Sequence, residues 1–222
     1  MVVRWPSHIT PAVDSTTLVS LTDLAPTILD IADAEPLSDI DGRSLFPIIR
    51  GENTEWRKVV VGSRYEDIYY GNGLNASPDP EALRAELRSQ GWVDATDHHI
   101  EGTMKRVMNK RGVSDGVYHY IYNHFYNEDN KILAYPYGSE TLWAMQRAAL
   151  TNATIAERME FYSYRTQEEC YNVVTDPGFE NNLVEDPDFS ETVSFLRNEL
   201  LSWMHNTSDP VVDDFEQYLA GL

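Results

Sequence analysis

Ser20-Leu21-Thr22-Asp23-Leu24-Ala25-Pro26-Thr27-Ile28-Leu29-Asp30 reads as a helix start followed by one apolar face. Thr22 or Asp23 can cap it, and Pro26 falls in the first turn, where its missing N–H is no loss. Leu24, Ile28, Ile31 and Ala32 then recur at i, i+4, i+7 and i+8. Such a helix lays one face on a sheet. Upstream, Val2-Val3-Arg4-Trp5 reads as the end of an extended strand closed by Pro6, with a polar loop running to Thr17. Downstream, Pro36 and the Asp41-Gly42 turn close the unit, and Ser44 to Arg50 makes a short helical turn ended by Gly51.

The strand Lys58-Val59-Val60-Val61-Gly62 opens a second part of the chain. A helical insert is expected from about Pro80 to Gln90, stopped by Gly91. Two strands are expected over Thr103–Lys110 and Val117–Asn123, joined by a loop at Gly112-Val113-Ser114-Asp115-Gly116. Period two puts Tyr118, Tyr120 and Tyr122 on one face of the second strand. Helices follow over Ser139–Leu150 and Thr154–Tyr162, then a short strand Cys170–Val174 ended by Asp176-Pro177-Gly178. Ser190 is expected to cap a final helix with Val193, Leu196, Leu200, Trp203 and Met204 in one stripe. Asp213-Asp214 falls in a polar tail beyond it.

Composition narrows the function classes. At 222 residues and 42% hydrophobic, the chain can hold one ordinary core, or a small domain plus a piece of another. A formal charge of −19 opposes nucleic acid and anionic membrane surfaces, because like charges repel within a Debye length. The only lysines are Lys58, Lys105, Lys110 and Lys131, and an acidic, lysine-poor surface suits a high-salt environment. No apolar run approaches the roughly 18 residues that cross a bilayer, and Met1 to Pro6 is too short and too soon interrupted to act as a signal peptide. Cys170 is the only cysteine, which excludes an intramolecular disulfide and a cysteine-rich zinc site.

Two groups of motifs carry a family resemblance. Thr22-Asp23-Leu24-Ala25-Pro26-Thr27-Ile28-Leu29-Asp30 precedes Asp41-Gly42-Arg43-Ser44-Leu45. Late in the chain, Glu169-Cys170-Tyr171-Asn172-Val173 precedes Asp176-Pro177 and Glu180-Asn181-Asn182-Leu183. In that order they resemble the C-terminal third of the sulfatase family, within the alkaline-phosphatase-like superfamily. Arg106-Val107-Met108, Tyr118 to Asn123, Tyr135-Pro136, Ser139-Glu140-Thr141 and Thr207-Ser208-Asp209-Pro210 are similar to its heparan N-sulfatase (sulfamidase)-like branch. The resemblance implies an α+β or α/β chain. Residues 1–56 would hold the terminal strand and helices of the large α/β domain, and residues 57–222 a C-terminal subdomain with a small antiparallel sheet packed by a C-terminal helix.

The residues bearing sulfatase chemistry are not expected in this chain. The family makes its formylglycine nucleophile from Cys or Ser in Cys/Ser-x-Pro-x-Arg, and Cys170 has Asn172 and Val174 where Pro and Arg belong. It reads as a small buried residue. The family's divalent cation, usually calcium, is held by aspartates and an Asp-Asn or Asp-Gln pair ahead of the strand with which this sequence begins. Asp213-Asp214 reads as solvated surface acid, and Asp39, Asp41 and Asp67 as turn and cap residues. Neither catalytic residues nor metal ligands are expected. By the same resemblance, Arg64, His98, His99, Lys105 and Arg106 are candidates to face an anionic sugar, although an insert over Ser77–Asp97 and Tyr65-Glu66 after Arg64 depart from the branch.

The expectation is the C-terminal portion of a hydrolase of sulfate esters or N-sulfates, on a sugar. Calcium, formylglycine and the sulfated carbohydrate would belong to a complete enzyme with an N-terminal catalytic part, and this chain alone would be inactive. The alternatives are a standalone module whose tyrosines stack on sugars, or a structural module completing an N-terminal partner.

Overall fold

The computed structural model describes residues 1–52, 56–64, 67–68, 106–107, 110–124, 126, 140–163 and 165–222. It is a mixed α/β structure with a small four-stranded antiparallel sheet and helices. The chain divides into two compact units. One comprises Met1–Gly62, Val113–Tyr120 and Cys170–Leu200; the other comprises Ser63–Gly112, Ile121–Glu169 and Leu201–Leu222.

In the first unit a 3-10 turn, Leu21–Asp23, leads into α1, Leu24–Ile31, and α2 follows at Phe46–Ile49. Asp23 stands at the N-cap position of α1, as one of the two expected caps, but makes no side-chain capping bond there; the capping bond is made by Ser20 ahead of the 3-10 turn. Its side chain accepts from Thr22 N–H, while the Asp23 carboxylate reaches back to Ser20 N–H, a reciprocal capping box. The α1 helix also packs differently from its apolar pattern. Its inward contacts are made by Thr27 and the preceding Asp23, both buried, whereas Leu24 and Ile28 are 39% and 65% exposed.

Sheet order is β1 (Val60–Arg64), β4 (Lys110–Ser114), β5 (Tyr118–Asn123), β6 (Glu168–Asn172). A separate two-stranded ladder pairs β2 (Asp67–Ile68) with β3 (Arg106–Val107), antiparallel, with Asp67 opposite Val107. Asn123 N–H donates to Gln167 at one end of β5 and Val173 N–H donates to Val117 at the other, both at 2.8 Å, so β6 runs antiparallel to β5. On β5, Tyr120 and Tyr122 are buried while Tyr118 is half-buried, consistent with a shared inner face.

Sequence periodicity misplaced two boundaries. Gly112 to Ser114 belong to β4, and the turn is confined to Asp115-Gly116-Val117. There the Asp115 carboxylate accepts from Val117 and Tyr118 N–H at 2.8 and 2.7 Å, and Gly116 takes a φ of +94°, which a side chain would oppose. Strand β6 starts at Glu168 and stops at Asn172, two residues earlier at each end than its apolar run suggests. The Asn172 side-chain oxygen accepts from Val174 and Thr175 N–H, both at 3.0 Å, and turns the chain.

Two glutamates can sit in a strand here because each has partners. Glu168 accepts from the Tyr218 hydroxyl at 2.9 Å. Glu169 accepts from Asn123 Nδ2 at 2.7 Å and Arg165 at 3.0 Å. Buried carboxylates persist only with such partners.

Helices α3 (Glu140–Ala149) and α4 (Ala153–Ser163) fall where periodicity places them. The long helix α5 (Ser190–Asn206) buries Val193, Leu196, Leu200 and Met204 as expected. Ser190 is its first residue, not its cap. A 3-10 turn, Pro187–Phe189, precedes it, and Asp186 caps that turn by accepting from Asp188 N–H.

The expected polar tail is a further helix, α6 (Val212–Ala220). Phe215 is fully buried and lies 4.5 Å from the Tyr122 ring, with Tyr218 at 5.6 Å from the same ring. Asp213 and Asp214 occupy the first turn, where negative charge suits the helix dipole. Behind this helix, Arg111 and Asp209 form a buried two-pronged pair at 2.6 and 3.0 Å, and Asp209 also accepts from Val211 N–H at 3.0 Å. The expected insert over Pro80–Gln90 lies outside the described residues. No helix among the described residues is long and apolar enough to cross a membrane.

Candidate functional site

The two N-terminal motifs interlock around one carboxylate. Asp23 is fully buried and accepts four hydrogen bonds: Ser20 N–H at 2.7 Å, Arg43 N–H at 3.0 Å, and Arg57 Nη1 and Nη2 at 2.8 and 2.6 Å. Burial pushes its pKa up, but the Arg57 guanidinium and the Arg43 and Ser20 amides outweigh burial, and the net shift is downward. Thr27 Oγ1 donates to the Asp23 carbonyl and accepts from Leu45 N–H at 2.8 Å. Ser44 donates to Asp30 at 2.5 Å. A Cβ on Gly42 would sit 2.0 Å from the Thr22 carbonyl oxygen, so only glycine lets the two segments close.

Arg57 was not foreseen. In sequence it is one arginine beside Trp56, and no local pattern pairs it with Asp23. Trp56 anchors this end of the arrangement, its indole donating to Leu18 at 2.6 Å and its ring lying 4.8 Å from the Arg57 guanidinium.

The late motif is built by the same logic. Asn182 Oδ1 accepts from Cys170 N–H at 2.8 Å, and Leu183 N–H donates to the Cys170 carbonyl at 2.8 Å. Asp176 accepts from Glu180 N–H at 2.9 Å and from Asn181 N–H at 2.8 Å. Cys170 and Tyr171 are fully buried, with the Tyr171 ring 4.9 Å from that of Phe179. A fully buried cysteine in a hydrogen-bonded strand beside two glutamates lacks the electropositive, accessible setting of a reactive thiol.

Of the residues proposed to face a sugar, Arg64 closes β1 and Arg106 opens β3. His98, His99 and Lys105 lie outside the described residues. Asp213 and Asp214 are the first-turn acids of α6, and Asp214 accepts from His124 Nε2 at 2.8 Å. Asp39 has a positive φ of 59°, as its reading as a turn residue implies, and Asp67 is paired in β2. Among the described residues, no group of three or more His, Cys, Asp or Glu side chains is placed to hold a metal ion. The exposed Asp14 accepts from Thr16 and Thr17 and has a strongly lowered pKa because of those bonds, the Thr17 hydroxyl first. It is a turn cap. What the described geometry does chemically is hold segments together.

Comparison with known proteins agrees with that arrangement. Residues 1–72 match the family model for N-sulphoglucosamine sulphohydrolase, C-terminal. An ulvan-active sulfatase of Formosa agariphila is 25% identical over 208 residues, covering 94% of this chain and 33% of its own. The human N-acetylglucosamine-6-sulfatase is 43% identical over 82 residues, 36% of this chain and 14% of its own. A solved Bacteroides thetaiotaomicron protein, described with that organism's metabolism of multiple glycosaminoglycans, shares the fold at a TM-score of 0.52 and 17% identity, covering 95% of this chain and 31% of its own. The chain thus spans about a third of the length of the ulvan-active relative. The interlocked motifs and these matches together support a C-terminal sulfatase region.

Proposed function

We propose that the chain is the C-terminal portion of a sulfatase-type hydrolase that cleaves sulfate esters or N-sulfates on a sugar, and that the 222 residues alone are catalytically silent. The similarity to the ulvan-active sulfatase across 94% of the chain carries this reading. The names of the relatives favour a sulfated sugar, and residues 1–56 are proposed as the end of the large α/β domain, with 57–222 as the C-terminal subdomain. Arg64, His98, His99, Lys105 and Arg106 are each proposed to face the substrate of the complete enzyme.

Calcium and formylglycine would supply Lewis-acid and nucleophilic chemistry in that enzyme. The described residues do not fit either group, since they offer no ligand cluster and their one cysteine is sealed in β6. Both are assigned to the N-terminal catalytic part. The standalone sugar-stacking alternative loses Tyr120, Tyr122 and Tyr171, which are buried. The test is turnover of an aryl sulfate and of N-sulfoglucosamine by the purified chain. No release of sulfate above buffer is expected, and measurable turnover would refute the reading.

A further inference from the structure

We infer that residues 176–183 are a seal over the outer edge of β6, and that what the seal excludes is a second copy of this chain. Strand β6 ends the sheet, with β5 as its neighbour. Asn123 N–H donates to Gln167 and Val173 N–H to Val117, so Gln167, Glu169, Tyr171 and Val173 turn their backbone groups toward β5. Glu168, Cys170 and Asn172 turn theirs outward. An end strand that leaves such groups open is a template for another chain. Here they are taken. The Cys170 N–H donates to Asn182 Oδ1 and the Cys170 carbonyl accepts from Leu183 N–H, both at 2.8 Å. The Asn172 carbonyl accepts from Asp176 N–H at 2.8 Å, and the Glu168 carbonyl accepts from the Thr166 hydroxyl at 2.6 Å.

Burial agrees with this closure. Glu168, Glu169, Cys170 and Tyr171 are all buried, on both faces of a strand that ends its sheet. The seal is held in shape by its own bonds, since the Asp176 carboxylate accepts from Glu180 and Asn181 N–H and Asn182 Oδ1 also accepts from Val184 N–H at 3.2 Å. The Phe179 ring pins it, 4.9 Å from that of Tyr171. What lies beneath names the occupant. Cys170-Tyr171-Asn172-Val173-Val174-Thr175 carries no charge, proline or glycine and is rich in strand formers, the composition in which identical segments pair with one another. A second copy brings the identical segment, related by a twofold axis.

Asn182→Leu removes the acceptor at similar size, and Asn182→Asp keeps it. Hydrogen exchange at the Cys170 amide reads the edge, and sedimentation reads association at high ionic strength, where the formal charge of −19 is screened. In dilute Asn182→Leu the Cys170 amide should exchange about ten-fold or more faster than in the wild-type chain, as loss of its bond predicts, with Asn182→Asp unchanged. Raising the concentration should bring a larger species and restore protection at Cys170. Asp176→Ala loosens the solvent side of the seal and leaves Asn182 in place. It should move both readouts the same way by less, and it serves if Asn182→Leu does not fold.

Exchange at Cys170 that stays at the wild-type rate in both variants would overturn the seal. An opened edge that never associates, or association that leaves Cys170 exchanging fast, would overturn the exclusion of a second copy.

Discussion

Replacing Asp23 by alanine removes the acceptor that four donors share. Two of these are backbone N–H groups, at Ser20 and Arg43, and two come from Arg57, whose side chain is 15% exposed. The loss leaves a guanidinium largely out of water with no counter-charge and two amides without their acceptor. Breaking a buried ion pair from one side costs about 3–5 kcal/mol, and the Asp23 site belongs to that class because its carboxylate is fully buried. Partial rehydration of Arg57 places the expected loss at the lower end, about 3 kcal/mol. Arg57→Met should cost less, since two amides still hold the carboxylate. In the double variant Asp23→Ala/Arg57→Met the loss should fall well short of the sum of the two single losses. Urea unfolding followed by circular dichroism gives the stabilities, and hydrogen exchange over residues 20–57 localises the loss. A loss below about 1 kcal/mol for Asp23→Ala, or strictly additive variants, would refute the hub.

The same carboxylate sets a pH dependence. Its folded pKa is depressed, so its contribution is fully present above the unfolded value of about 3.9 and fades as pH falls through the lower folded value. Asp23→Asn should flatten the acid limb of stability against pH below about 4, measured by thermal melts. Gly42→Ala should destabilise by about 1–3 kcal/mol or more, because the new methyl meets the Thr22 carbonyl, and exchange should rise at both motifs together. Phe215→Ala should cost about 3–5 kcal/mol and expose α6 to proteolysis, whereas the same change at Phe195, 37% exposed on α5, should cost far less.

Much of this fold was legible because its elements declare themselves locally. The position of α1, the Tyr120/Tyr122 face of β5 and the Val193-Leu196-Leu200-Met204 stripe follow from period, although the caps and the buried side of α1 do not. What escaped depended on partners far along the chain. The strand expected over Cys170–Val174 begins instead at Glu168, because the partners that let Glu168 and Glu169 enter it, Tyr218, Asn123 and Arg165, are visible only in three dimensions. Helix α6 read as tail because Asp213-Asp214 masked the spacing of Val211, Phe215 and Tyr218, the residues that bury it. The proposed sugar-facing residues were drawn from resemblance, not from any physical pattern, and three of the five lie outside the described residues.

The motifs that make the chain recognisable are the ones whose chemistry is spent on holding it together. Asp23, Thr27, Asp30 and Ser44 are all engaged, and a Cβ at Gly42 would come within 2.0 Å of the Thr22 carbonyl oxygen. A side chain already committed to four bonds, as Asp23 is, has no lone pair directed at a substrate and cannot titrate near neutrality. Leu21 and Ile28 stand differently, 84% and 65% exposed in the turn and helix that carry the first motif. Asp23 and Thr27 are turned inward and Ile28 outward, while Pro26, Leu29 and Ile31 are half-buried, so polar bonds rather than a clean apolar stripe seat this helix.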